Sequence, residues 1–219
     1  MKKELFRYVK LYLGLFLCAM GAITLLNCDM GLSPWDVFHQ DLSKVTGITI
    51  GQASIGAGII IVLLDVFLGQ PIGIGSILNF IFIGAFMDLI VYLNFIPRPN
   101  NIFLQLIELF IGILFYAYGT FLYMVQGMGC GPRDGFMQIL TKKLNKPVSF
   151  IKNTIELIAL GVGWLLGGKA GLGTVATAII TGFLLEWMLK FWKIDIKKLH
   201  HRNVKEELVY LKNVINGVE

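Results

Sequence analysis

The stretch Met30-Gly-Leu-Ser-Pro-Trp-Asp-Val-Phe-His-Gln-Asp-Leu-Ser-Lys44 returns 98 positions later as Met128-Gly-Cys-Gly-Pro-Arg-Asp-Gly-Phe-Met-Gln-Ile-Leu-Thr-Lys142. Eight of the fifteen positions are identical, among them Gly31/Gly129, Pro34/Pro132, Asp36/Asp134 and Gln40/Gln138. At the same offset, and without a gap, residues 11–88 match 109–186 at 19 of 78 positions. A chain duplicated in this way is expected to fold as two copies of one unit.

The surroundings of the motif say what kind of unit. Of the 219 residues, 56% are hydrophobic and 15% charged, and apolar runs of about 20 residues recur, long enough to cross a bilayer core. The expected class is an all-α polytopic membrane protein in contact with lipid. Its spans are expected at 11–27, 51–68 and 76–93 in the first repeat (1–94), and at 102–125, 150–166 and 174–189 in the second (102–192). Glycine-rich breakers at 69–75 and 167–173 occupy matching places, and the proline-rich 96–101 is a turn between the halves. Gly14 and Gly21 in the first span, and Gly51, Ser54 and Gly58 in the second, are spaced for close helix packing, within a protomer or in a homodimer.

Three spans per repeat turn the second repeat upside down relative to the first, an inverted arrangement used by many transporters. With the N-terminus inside, Lys44, Arg98 and Lys169 lie outside and the other sixteen of nineteen Lys and Arg lie inside, as the positive-inside rule requires. Eight crossings with parallel repeats satisfy the charge rule equally well. Six is preferred because residues 34–44 reach only about 16 Å as a helix, roughly half the hydrocarbon core. A half-helix dipping inward after the first span of each repeat is the expectation.

In Ser33-Pro34-Trp35-Asp36 a serine cap, a proline at the first helical position and an acid at the third mark a helix start, and Gly131-Pro132-Arg133-Asp134 repeats it with glycine as cap. Capping alone accounts for both aspartates. A half-helix starting inside a membrane protein also aims N–H groups and partial positive charge at the interior, which suits an anionic or zwitterionic ligand. The candidate ligand-binding set is Ser33, Trp35, Asp36, Gln40, Gly131, Arg133, Asp134 and Gln138. Arg133 offers a bidentate partner for a carboxylate, or an ion pair with Asp134. His39 is read as a hydrogen-bonded residue of a partly apolar helix.

Asp88 and Glu186 fall at matching positions two-thirds along the third and sixth spans. They are candidates for ion or proton coupling, or for a bond to a partner helix. Asp65 and Glu156 read as structural, the latter paired with Lys152 one turn earlier. Beyond residue 192 the tail (193–219) turns basic, and Val204, Leu208, Leu211 and Ile215 follow helical spacing, as expected of an amphipathic cytoplasmic helix lying on the membrane or mediating dimers.

Cys18, Cys28 and Cys130 make no metal or disulfide pattern and read as packing residues. No metal or cofactor is implied. No nucleotide loop, HExxH, GxSxG or nucleophile–base pairing supports an enzyme, and the +5 net charge is explained by membrane orientation rather than nucleic acid.

At Met30-Gly-Leu-Ser-Pro-Trp-Asp36, Gly73-Ile-Gly75, Gly129-Cys-Gly-Pro-Arg-Asp-Gly135, Ile155-Glu156 and Gly163-Trp-Leu-Leu-Gly-Gly168 the chain resembles the YczE-like bacterial membrane proteins, usually grouped with the YitT membrane proteins. The resemblance covers the chain to about residue 192. It implies a multi-pass protein of the bacterial plasma membrane. Some members look linked to antibiotic or lipopeptide production, which implies export, precursor supply or an assembly role. The expected function is a small secondary transporter or facilitator of an anionic or zwitterionic solute, both termini cytoplasmic; the alternative is a non-transporting scaffold for a partner protein.

Overall fold

The computed structural model describes residues 2–69, 72–165 and 171–215, and within them all regular structure is α-helical. The order is α1 (Lys2–Asn27), α2 (Pro34–Thr46), α3 (Ile50–Phe67), α4 (Ile74–Leu93), α5 (Ile102–Met124), α6 (Pro132–Leu144), α7 (Val148–Leu165), α8 (Leu172–Phe191) and α9 (Val204–Ile215). Helices α1, α3, α4, α5 and α8 are long and apolar enough to cross a bilayer. Helix α7 is of similar length and carries Lys152 and Glu156, both buried. The breaker at 167–173 falls largely outside the described residues, as do Gln70 and Pro71 of the first breaker.

The first span starts earlier than the apolar run alone indicates. The basic flank continues the helix back to Lys2, with Arg7 bonded to Glu4 at 2.5 Å one turn away. Helices α2 and α6 have 13 residues each, about 20 Å at 1.5 Å per residue, short of a hydrocarbon core of about 30 Å.

Helices α1 and α5 cross at the centre of the molecule, and glycines set their distance. A Cβ on Gly14 would stand 2.8 Å from the Tyr123 amide nitrogen, and one on Gly21 would stand 2.6 Å from that of Tyr116. Only a residue without a side chain lets the backbones approach this closely. Around this pair, α4 packs on α1 and on α3, while α8 packs on α5 and on α7. The short helices sit between the two groups: α2 touches α3 and α7, and α6 touches α7 and α3.

Helix α9 faces the rest of the chain with charged and aromatic groups and leaves apolar residues outward. Leu208 is 57% exposed, whereas Glu207 is fully buried and paired with Arg202 at 3.0 Å. Tyr210 donates to Glu4 at 2.7 Å and lies under the Arg202 guanidinium, so the tail is fastened to the start of α1 by charge and hydrogen bonds. The side chain of Ile215 lies outside the described residues.

Candidate functional site

The site begins with two helix starts. Ser33, extended at φ −62° and ψ 151°, accepts from the Asp36 amide at 3.3 Å and donates its hydroxyl proton to Asp36 Oδ2 at 2.6 Å. The expected cap is therefore present, but the carboxylate returns its bond to the serine hydroxyl rather than to the backbone of the cap. Gly131 starts α6 in a similar backbone conformation with no side chain to cap it.

The loops leading into these helices interlock with the opposite half. Gly173 N–H donates to the Met30 carbonyl at 2.9 Å, and 98 positions away Gly75 N–H donates to the Met128 carbonyl at 2.6 Å. Gly31 (φ 131°) and Gly129 (φ 116°) occupy backbone conformations closed to most L-residues and lie against Thr174 and Ser76. These glycines hold each half-helix start in the interior.

From Ser33 a polar network runs across the molecule. Asp36 Oδ1 receives His39 Nδ1 at 3.1 Å, and His39 Nε2 receives Arg133 at 3.0 Å. A guanidinium has no acceptor, so His39 Nε2 carries the lone pair and Nδ1 the proton, which makes this imidazole neutral. The other terminal nitrogen of Arg133 donates to the Tyr116 hydroxyl at 3.2 Å, and the guanidinium lies 5.1 Å from the Trp35 ring centre. Among the described residues Arg133 makes no ion pair with its neighbour Asp134.

Asp134 has its own partners. The Tyr123 hydroxyl donates to Oδ2, and Lys152 Nζ stands 3.3 Å from Oδ1. Lys152 also faces Glu156 at 3.7 Å, the pairing expected at one turn's spacing. Where α7 carries Lys152 and Glu156, α3 carries Ser54 and Gly58 at the same offset of 98, and there a cavity of about 40 Å³ opens. Its walls include Asp36, Ser54, Asn79, Tyr116, Arg133 and Asp134.

The structure thus brings together Ser33, Trp35, Asp36, Gly131, Arg133 and Asp134. Gln40 stays outside, on an exposed turn with Lys44. Gln138 is buried but binds the tail, donating to the Ile196 carbonyl at 3.2 Å and accepting from Cys130 Sγ. Asp88 accepts from Thr49 Oγ1 at 2.6 Å and Gly51 N–H at 3.0 Å, and Glu186 accepts from Ser149 N–H at 2.9 Å and pairs with Lys190. Both therefore cap the starts of α3 and α7, half-buried, because a helix start beside a carboxylate offers it free N–H donors. Tyr116, Tyr123, Asn79, Ser54 and Lys152 are site residues that the motif does not contain. Their one sequence signal is a polar group on an otherwise apolar span.

Beside the second motif, the tail adds His201, whose Nε2 lies 3.3 Å from Cys130 Sγ. Burial, with Lys142 and His200 nearby, pushes its imidazole down to about 4. Among the described residues no group of three His, Cys, Asp or Glu is placed to hold a metal ion.

Long apolar helices packed around a buried ionic network define an integral membrane protein of the all-helical class. Residues 5–190 match the family of unknown function DUF6198, and the chain belongs to that family. It is 37% identical over 193 residues to the uncharacterized membrane protein YczE of Bacillus subtilis (strain 168), covering 86% of this chain and 88% of that one. It is 30% identical over 179 residues to an uncharacterized protein of Haemophilus influenzae (strain ATCC 51907 / DSM 11121 / KW20 / Rd), covering 82% and 81%. The uncharacterized protein YyaS of Bacillus subtilis (strain 168) follows at 26% over 182 residues, covering 82% and 90%. The resemblance read from the motifs is borne out. No solved structure matches the chain.

Proposed function

We propose that this protein is a small secondary transporter or facilitator in the bacterial plasma membrane, with its solute site where the half-helices of two inverted repeats meet. The observation that carries this reading is the bond from Arg133, of the second motif copy, to His39, of the first, with Arg133 itself on the wall of the cavity. A charged group shared by two halves gives each half a contact to lose when they move apart, which is what alternating access between repeats requires.

Formal charge narrows the solute. Asp36, Asp134 and Glu156 set three negative charges against the two of Arg133 and Lys152. An anion would add to that excess, whereas a zwitterion leaves it unchanged. Coupling is assigned to Asp134, which lines the cavity, and to Lys152 and Glu156 paired behind it, rather than to the helix-capping Asp88 and Glu186. The bond from Tyr210 to Glu4 joins the tail to the start of α1, and the basic residues of both segments support a cytoplasmic location for them.

The test is uptake of radiolabelled small amino acids and small anions into proteoliposomes under an imposed pH gradient. Wild type should accumulate a zwitterion, and the triple variant Asp36→Asn/Arg133→Ala/Asp134→Asn should not. Absence of gradient-dependent uptake by wild type across the panel overturns transport in favour of the scaffold.

A further inference from the structure

The two half-helices differ in what satisfies their first turn. In α2 the Ser33 hydroxyl accepts the Asp36 amide, whereas Gly131 leaves the first turn of α6 without a side-chain acceptor. That turn, formed by Pro132, Arg133 and Asp134, lines the cavity. Exposed first-turn N–H groups with the helix dipole behind them favour a carboxylate.

A second observation points to the same place. Asn79 of α4 lies 93% buried on the cavity wall, and its amide has no hydrogen-bond partner among the described residues (relative exposure 7%). A Cβ on Gly131 would stand 2.7 Å from that amide, so Asn79 lies directly against the uncapped helix start. Ser54 of α3, exposed to 8%, lines the cavity likewise, and its hydroxyl has no hydrogen-bond partner among the described residues. Both polar groups open into the cavity rather than being sealed from it, so a solute there can supply the partner that the protein does not. Arg133 adds further donors: His39 and Tyr116 take two of its five N–H groups.

Resting on the placement of the solute site above, we propose that the cavity binds a zwitterion of glycine size. Its carboxylate lies on the first turn of α6 and Arg133. Its ammonium donates to the oxygens of Asn79 and Ser54, and the Asn79 NH₂ is left to donate to the carboxylate. Size follows from volume: about 40 Å³ holds roughly three water-sized species, which confines the solute to a handful of non-hydrogen atoms. In this reading Gly131 and Asn79 are selectivity residues. The missing serine of the second motif copy is the place the substrate carboxylate takes.

The experiment is equilibrium binding of tritiated glycine to the detergent-purified full chain, with leucine as the oversized competitor and formate and methylamine as half-ligands. Saturable glycine binding is expected, displaced by unlabelled glycine and not by leucine, with both half-ligands weaker. Asn79→Ala should weaken it roughly tenfold through loss of hydrogen bonds to charged groups. Gly131→Ser, which transplants the cap of the first copy, should abolish it. Ser54→Ala should weaken it less, which gives a second readout should Gly131→Ser fail to fold. No saturable glycine binding, or binding unchanged in Asn79→Ala and Ser54→Ala, overturns the proposal. Binding without uptake into proteoliposomes would keep this site and remove transport; uptake of another solute that is indifferent to Asn79 would keep transport and remove this site.

Discussion

Asp36 and Asp134 stand at the same place in two copies of one motif, and the structure puts them to different uses. Asp36 is enclosed by its own helix: Ser33 and His39, three residues to either side, take both of its oxygens. Asp134 is served from elsewhere, by Tyr123 of α5 and Lys152 of α7. The first copy is locally complete and the second depends on tertiary neighbours. Residues 98 positions apart (Ser33/Gly131, Trp35/Arg133, His39/Met137, Ser54/Lys152) differ so that the first stretch is a closed cap and the second an open, charged wall.

The contrast is broken most severely at Lys152. Lys152→Ala leaves two buried carboxylates, Asp134 and Glu156, without their cation and should destabilise the protein by about 3–5 kcal/mol. The matched change in the other half, Ser54→Ala, removes a hydroxyl that makes no hydrogen bond among the described residues and should cost within about 1 kcal/mol. Unfolding of both variants in the same detergent measures the difference; equal losses would mean that the halves are energetically alike.

A second asymmetry is the tail, which packs on the second motif through Gln138, Cys130 and Gly127. His201 makes this contact pH-sensitive. Its folded value of about 4 lies below the ordinary 6.5, so as pH falls the unfolded chain takes up a proton first. Stability is full above about 6.5 and is lost as pH drops through that value toward 4, by of the order of 3 kcal/mol in all. In unfolding titrations between pH 7.5 and 4.5 wild type should lose stability that His201→Gln keeps, and parallel curves would show that His201 contributes no pH dependence.

The smallest effect sharpens the comparison at the caps. Ser33→Ala deletes a cap that also donates to Asp36 and should cost about 1–2 kcal/mol. Gly131→Ala deletes no bond, so its effect reports only how far the Asn79 amide yields to a new Cβ. A larger loss for Gly131→Ala than for Ser33→Ala would show that the second helix start is the more tightly packed of the two.

The sequence by itself determined the long apolar helices, the two short polar ones and their starts. These follow from local chemistry: apolar runs of span length, proline after a cap, glycine where the backbone turns. It also carried the family resemblance and the pairing of Lys152 with Glu156, one turn apart on a single helix. Tertiary structure alone decided which polar groups meet. Arg133 bonds to His39 and Tyr116 rather than to adjacent Asp134, because Tyr116 and Tyr123 of α5 lie alongside the start of α6. Asp88 and Glu186 went to helix starts, and Gln138 to the tail, because each found unpaired backbone groups there. Local signals fix where helices begin and end. The partners of Arg133 and Asp134 are set by whichever elements pack against them, and those lie between 11 and 94 residues away.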